Sequence, residues 1–160
     1  MQIHGFTANK RAGAKTASNN GKIQKPWEEK MKVINYKDLE KNRVVEFHAG
    51  VSHRILLKRD NMGFGMTRTT IMPEAGKVFQ HYKNHDEACY CVKGLAILTC
   101  AKTGKEFWIR EGDTYILDEN DPHYFQAMEE TVLICGWNPP LIDRETHRAD
   151  GSYSLDGTND

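Results

Sequence analysis

Gly76-Lys77-Val78-Phe79-Gln80-His81-Tyr82-Lys83-Asn84-His85-Asp86-Glu87-Ala88-Cys89-Tyr90-Cys91-Val92-Lys93-Gly94, followed by Gly112-Asp113-Thr114-Tyr115-Ile116-Leu117-Asp118-Glu119-Asn120-Asp121-Pro122-His123, decides how this chain folds. In extended backbone alternate side chains share a face. His85, Glu87, Cys89 and Cys91 are therefore expected on one face, and Tyr115 with Leu117 on one face of another strand. Lys93-Gly94, Thr103-Gly104-Lys105 and Glu111-Gly112-Asp113 are turn signals between short apolar runs. Working outward, strands are expected at Glu46–Phe47, Arg54–Lys58, Gly63–Ile71, Cys89–Val92, Leu95–Thr99, Glu106–Arg110, Thr114–Leu117, His123–Ala127 and Val132–Trp137, with a short helix at Asp38–Asn42. Short strands at this spacing give an all-β sandwich or barrel.

Residues 1–30 differ in composition. Before Glu28 they hold Lys10, Arg11, Lys15, Lys22 and Lys25 and no acidic residue, with no hydrophobic period. A chain that poor in apolar residues cannot repay its ordering entropy, so a solvated basic tail is expected there and one folded domain over residues 31–160. A total of 160 residues suits a single domain. The 22 basic and 22 acidic residues cancel, which gives no electrostatic reason to expect nucleic acid or an anionic membrane as partner. No apolar run approaches membrane-spanning length, and the start of the chain lacks the apolar stretch of a secretory signal. The four cysteines, Cys89, Cys91, Cys100 and Cys135, are too few for a disulfide scaffold in a chain this long. They are expected as reduced thiols in a cytoplasmic protein.

Imidazole, carboxylate and phenolate are all ligands for a first-row metal. Glu87, Tyr115 and His123 offer one of each. The plainer reading of Glu87 is a core carboxylate paired with Lys or Arg, since a buried carboxylate needs some cation. His85 suits an acid/base group. Trp137 on an apolar strand is most simply core, and Glu145 and His147 near the chain end are most simply a solvated tail.

Two motifs raise the sharper reading. Glu87-x6-Gly94 and the spacing from Gly112 to His123 resemble the two metal motifs of the cupin superfamily. The departures are His81-x3-His85 in place of His-x-His, and Asp118 and Asn120 where Pro and Gly are usual; Asn tolerates a left-handed turn position. Over about residues 31–155, Met62-Gly63-Phe64, His81-Tyr82-Lys83-Asn84-His85-x-Glu87-Ala88, Gly112-Asp113-x-Tyr115-x-Leu117-Asp118, Asp121-x-His123-Tyr124 and Asn138-Pro139-Pro140-Leu141-x-x-Arg144-Glu145-x-His147 resemble ectoine synthase. Trp137, where that family usually has Phe, and Ile142-Asp143, where Thr-Gly is typical, depart from it. So does the lack of a Trp shortly before Arg54.

The resemblance implies a cupin-type β-barrel with one divalent metal, iron(II), in its mouth, held by Glu87, Tyr115 and His123. It implies a substrate pocket of Thr70, Tyr82, His85, Leu117, Cys135, Trp137, Glu145 and His147. His85, Glu145, Tyr82 and His147 would serve the chemistry, and Thr70, Leu117, Cys135 and Trp137 would hold the small-molecule substrate. The implied reaction closes a ring: the α-amine of N-γ-acetyl-diaminobutyrate attacks the acetamide carbonyl and water leaves, giving ectoine. A homodimer is implied as well. Two alternatives stay open. One is a cyclase or hydrolase for another acylated diamine, favoured by Trp137 and Ile142-Asp143; the other is a non-enzymatic metal-binding cupin.

Overall fold

A computed structural model describes residues 31–157; the basic tail expected at 1–30 lies outside the described residues. The chain runs through ten strands: β1 Val44–Phe47, β2 Gly50–Leu56, β3 Gly65–Ile71, β4 Lys77–Gln80, β5 Asp86–Lys93, β6 Leu95–Cys100, β7 Glu106–Arg110, β8 Thr114–Leu117, β9 His123–Ala127 and β10 Thr131–Asn138. The expected helix near Asp38 is two single 3-10 turns, Tyr36–Asp38 and Lys41–Arg43.

The strands form a six-stranded sheet, in the order β1-β2-β3-β10-β5-β8, and a four-stranded sheet, in the order β4-β9-β6-β7. No ladder joins the two among the described residues, so the edge strands β1, β8, β4 and β7 are each paired on one side only. This corrects the expected barrel. A barrel needs its edges closed by backbone hydrogen bonds. Here the sheets are joined through side chains, as in a sandwich.

Alternation drives that packing. In β5, Glu87, Cys89 and Cys91 are buried while Ala88 and Tyr90 are exposed. In β10, Leu133, Cys135 and Trp137 are buried, and β9 contributes His123, Phe125 and Ala127 from the opposite sheet. Together with Leu98 and Ile109 these make one core drawing on both sheets. Each large apolar side chain buried this way contributes about 1.5–3 kcal/mol, and truncating Phe125, which is 1% exposed, to Ala would cost about 3–5 kcal/mol.

Two turns need their residues. Gly94 has φ 108, and a Cβ there would lie 2.6 Å from the Glu130 carbonyl oxygen. Asn120 takes φ 52 in the β8–β9 turn, the left-handed position its motif anticipates. After β10 the chain folds back without regular structure. Leu141 and Glu145 are fully buried, and the return is pinned by Lys58 N–H to the Leu141 carbonyl (2.8 Å) and His81 N–H to the Gly151 carbonyl (2.9 Å).

Candidate metal centre and substrate cavity

The register of three neighbouring strands assembles the centre. Cys89 of β5 lies opposite Tyr115 of β8 on one side and opposite Cys135 of β10 on the other. Glu87, two residues along β5 on the same face, lies between Leu117 and Trp137. The Glu87 carboxylate and the Cys89 and Cys135 sulfurs all lie within 4.8 Å of one another and are buried, a spacing that one metal ion can occupy.

Burial disfavours negative charge on this patch. It pushes the Glu87 carboxyl up to about 7, against hydrogen bonds from Cys89 and Cys135 and the charge of Arg54. Burial likewise raises the Cys89 thiol and the Tyr115 phenol well above their ordinary values. Glu87 has no ion-pair partner among the described residues; ion pairs elsewhere include Arg43–Asp60, Arg59–Asp143, Lys83–Asp150 and Lys93–Glu130. The core carboxylate paired with a basic residue is thus not what the fold builds. Acids crowded together without an ion-pair partner fit a bound divalent ion, which displaces their protons.

His123 stands on β9 of the other sheet, outside the group formed by Glu87, Cys89 and Cys135. Its Nδ1 lies 2.8 Å from the Asp121 carbonyl and its Nε2 lies 3.0 Å from Gln80 Oε1. Burial lowers its pKa and favours the neutral ring. A neutral ring has one N–H for these two oxygens; with Nδ1 donating to Asp121, the Nε2 lone pair faces Gln80 Oε1, the contact that a bound ion would replace. Tautomer fixing by a backbone carbonyl is the arrangement typical of metal-ligating histidine.

The cavity beside this patch is lined by Arg54, Thr69, Tyr82, Glu87, Tyr115, Cys135, Trp137, His147 and Tyr153, among others. It therefore brings together five of the residues expected from sequence, Glu87, Tyr115, Tyr82, Cys135 and Trp137, along with His147. His147 is folded in and is not a solvated tail. Its Nε2 lies 2.9 Å from the Tyr82 hydroxyl, and burial holds its pKa down to about 4, so the ring is neutral. Trp137 donates its indole N–H to Thr67 Oγ1 at 3.2 Å.

Other expected residues stand apart from the lining. His85 is buried; its Nδ1 lies 2.9 Å from the Pro139 carbonyl, and its Nε2 is buried without a partner. The ring stands edge-on to Trp137 (6.2 Å) and Tyr153 (6.5 Å). Glu145 is fully buried, but its carboxylate accepts the backbone N–H groups of Ile142 and Asp143 (2.6 and 2.9 Å). It ties down the returning chain. Thr70 turns away and accepts from Arg68 at 3.2 Å, while Thr69 faces the cavity: a one-residue step along a strand changes face. Leu117 and His123 border a second depression with Leu98 and Pro122.

Among the cavity residues that escaped the sequence reading are Arg54 and Tyr153. Arg54 is 2% exposed, donates from Nη2 to the Glu145 carbonyl at 2.6 Å, and leaves Nε without a partner. A buried guanidinium with open donors is built to take a carboxylate. Tyr153 stacks between His147 (4.7 Å), Tyr82 (5.2 Å) and Trp137 (5.4 Å). Burial of a guanidinium is the signal for Arg54, and it becomes visible only after folding.

The sequence model of the ectoine synthase family matches residues 31–157. The chain belongs to the ectoine synthase family. An L-ectoine synthase of Bordetella petrii is 43% identical over 106 residues, 66% of this chain and 79% of that protein. One of Desulfatibacillum aliphaticivorans is 44% identical over 65% of this chain and 79% of its own length. The crystal structure of an ectoine synthase from P. lautus superposes with a TM-score of 0.66 at 31% identity, covering 70% of this chain and 80% of that one. An RmlC-like cupin from Shewanella frigidimarina, 13% identical with a TM-score of 0.50 over 61% of this chain and 83% of that one, shares the fold. No helix among the described residues is long and apolar enough to cross a membrane.

Proposed function

We propose that this chain is a metal-dependent ring-closing enzyme that converts N-γ-acetyl-diaminobutyrate to ectoine and water. The observation that carries the reading is the presence, in one buried cavity, of a Glu87 carboxyl beside two thiols and an Arg54 guanidinium with an open donor, neither of them in an ion pair among the described residues. The family supplies the reaction, and the cavity has the charges it needs.

Glu87, Tyr115 and His123 would hold the divalent ion, which on the family resemblance is iron(II). When bound, it supplies Lewis acidity toward the amide oxygen of the substrate. The chain's own residues do the rest. Arg54 takes the substrate carboxylate and so fixes the α-carbon. We assign the base that takes a proton from the α-ammonium group to His85, whose Nε2 is buried without a partner and whose ring stands edge-on to Trp137 and Tyr153 of the cavity wall. The freed amine nitrogen attacks the acetamide carbonyl carbon; one C–N bond forms, and the carbonyl oxygen leaves as water. Tyr82, kept a neutral phenol by burial and oriented by His147, is the donor placed to protonate that departing oxygen. Trp137 and Tyr153 fold the flexible substrate into an attacking conformation and keep bulk water from hydrolysing the amide. Cys135 and Thr69 complete the wall, with Thr70 and Leu117 behind it, and Glu145 acts through Arg54 and the returning chain.

We place the catalytic unit in residues 31–160, acting as a cytoplasmic homodimer; Tyr90 and Ile116, exposed on the outer face of β5 and β8, support an apolar contact there. Trp137 favours the second reading, a cyclase for a different acylated diamine, because indole occupies more of the wall than a benzyl ring. The test is to incubate iron(II)-loaded protein anaerobically with N-γ-acetyl-diaminobutyrate and follow products by NMR. Ectoine is expected. Acetate plus free diaminobutyrate would mean a hydrolase, and no turnover would reject the reading.

A further inference from the structure

The ring-closing scheme uses His123, His147 and Tyr82 and leaves out the residue that joins them. Gln80 ends β4, is buried, and lies directly opposite His123 in the β4–β9 ladder. It lines the substrate cavity. Its amide oxygen lies 3.0 Å from His123 Nε2 and its amide nitrogen 3.3 Å from His147 Nε2. His147 Nε2 in turn lies 2.9 Å from the Tyr82 hydroxyl. One carboxamide thus spans the gap between the metal-side imidazole and the pair that contains the proton donor. The Tyr82 ring faces both imidazoles, with centroids 5.9 Å from His123 and 5.6 Å from His147. A buried amide costs more to desolvate than an aliphatic side chain of its size unless its hydrogen bonds are used. Packing alone does not call for it.

We propose that Gln80 is a positioning residue for ring closure: its carboxamide bridges His123 and His147 and ties the proton arrangement of the Tyr82–His147 pair to the state of the metal site. The proposal rests on the reading that Glu87, Tyr115 and His123 hold a divalent ion. A primary amide has an acceptor end and a donor end. It therefore demands opposite states of the two ring nitrogens it touches. When His123 gives its Nε2 lone pair to the ion, the amide oxygen suits that side and the N–H end is left for His147. An N–H only donates, so His147 Nε2 is the unprotonated nitrogen. Burial keeps the His147 ring neutral, and its single proton then sits on Nδ1. The proton between Nε2 and Tyr82 belongs to the phenol. While Tyr82 lends that proton to the departing oxygen, the Gln80 N–H stays on Nε2, and no buried ring nitrogen is left unsatisfied.

The test reads the tautomer directly by NMR, in full-length protein carrying isotopically labelled histidine and loaded with zinc as a diamagnetic stand-in for iron(II). Proton–nitrogen correlation spectra show which ring nitrogen is protonated, and the His147 signals are those missing from His147→Gln. The wild type should show His147 protonated at Nδ1 alone. Gln80→Met keeps the length of the side chain and removes the amide. In that variant zinc is retained, both tautomers appear, and kcat of the iron-loaded protein falls about 10–100-fold with little change in KM. A zinc-loaded wild type with His147 protonated at Nε2 overturns the bridge. So does an unchanged tautomer or an unchanged kcat in Gln80→Met. Zinc lost from Gln80→Met alone also overturns it, because Gln80 would then only support His123. A wild type that retains no zinc overturns the metal reading and the bridge together. A wild type that makes no ectoine rejects the ring-closing reading, and the tautomer still decides the bridge. Should Gln80→Met fail to fold, the wild-type spectrum decides alone.

Discussion

Two arginine and carboxylate settings in this molecule use the same chemistry to opposite ends. At the surface, Asp60 accepts two hydrogen bonds from Arg43 (2.8 Å each) and one from the Leu57 N–H (2.8 Å). The hydrogen bonds from Arg43 hold its pKa down to about 2. In the interior, Arg54 and Glu87 share a cavity without forming an ion pair, and burial drives Glu87 up to about 7. The first setting is complete and stabilises the fold. The second is incomplete, and its cost to stability is the signature of groups kept for a ligand.

The largest break in this comparison is Glu87→Gln. It should abolish metal retention and lower turnover by at least about 10²–10³-fold, while the metal-free protein stays folded; elemental analysis and an ectoine assay check both. Next, Arg54→Met should cost about 2–4 kcal/mol, read mainly as a raised KM, because it removes the carboxylate partner and leaves the Glu145 carbonyl unsatisfied. Third, Asp60→Asn should leave activity unchanged but destabilise the protein by on the order of 2 kcal/mol at neutral pH. The sign follows from the depressed pKa: the contribution is present above the unfolded value near 3.8 and is lost as pH falls through about 2. Urea denaturation of both forms at neutral and acid pH should show the two curves converge in acid. The smallest effect is Trp137→Phe, which should change discrimination between N-acetyl diamino acids one methylene apart by about 1–2 kcal/mol. Equal kcat/KM ratios in the two forms would make Trp137 a neutral wall residue.

The strands β5 to β10 were legible because each alternates cleanly and is bounded by a turn residue. The strand β4 was not: Val78 and Phe79 are adjacent rather than alternating, so Lys77–Gln80 read only as the approach to the histidine motif, and Gln80, which touches His123 and His147, went with it. Closure of the sheet was equally invisible, because alternation fixes which face is inner but not whether edges pair. In the site, Glu87, Tyr115 and His123 carry their spacing in the sequence. Arg54 does not, since its partner Glu145 lies 91 residues away and contact order of that kind leaves no local pattern. Thr69 was missed by one residue, and in a strand one residue is the difference between cavity and outer face.

The incompleteness of the interior setting is tested most directly by the pH dependence of stability in metal-free protein, wild type against Glu87→Gln. A carboxyl raised from 4.5 to about 7 in the folded state makes the wild type lose stability as pH rises between those values, by about 2–3 kcal/mol relative to the variant. Denaturation midpoints from pH 5 to pH 8 should therefore diverge, with the variant the more stable at the alkaline end. A difference that is flat with pH, or a wild type that gains on the variant as pH rises, would show that Glu87 is held as Asp60 is, by a partner already in place.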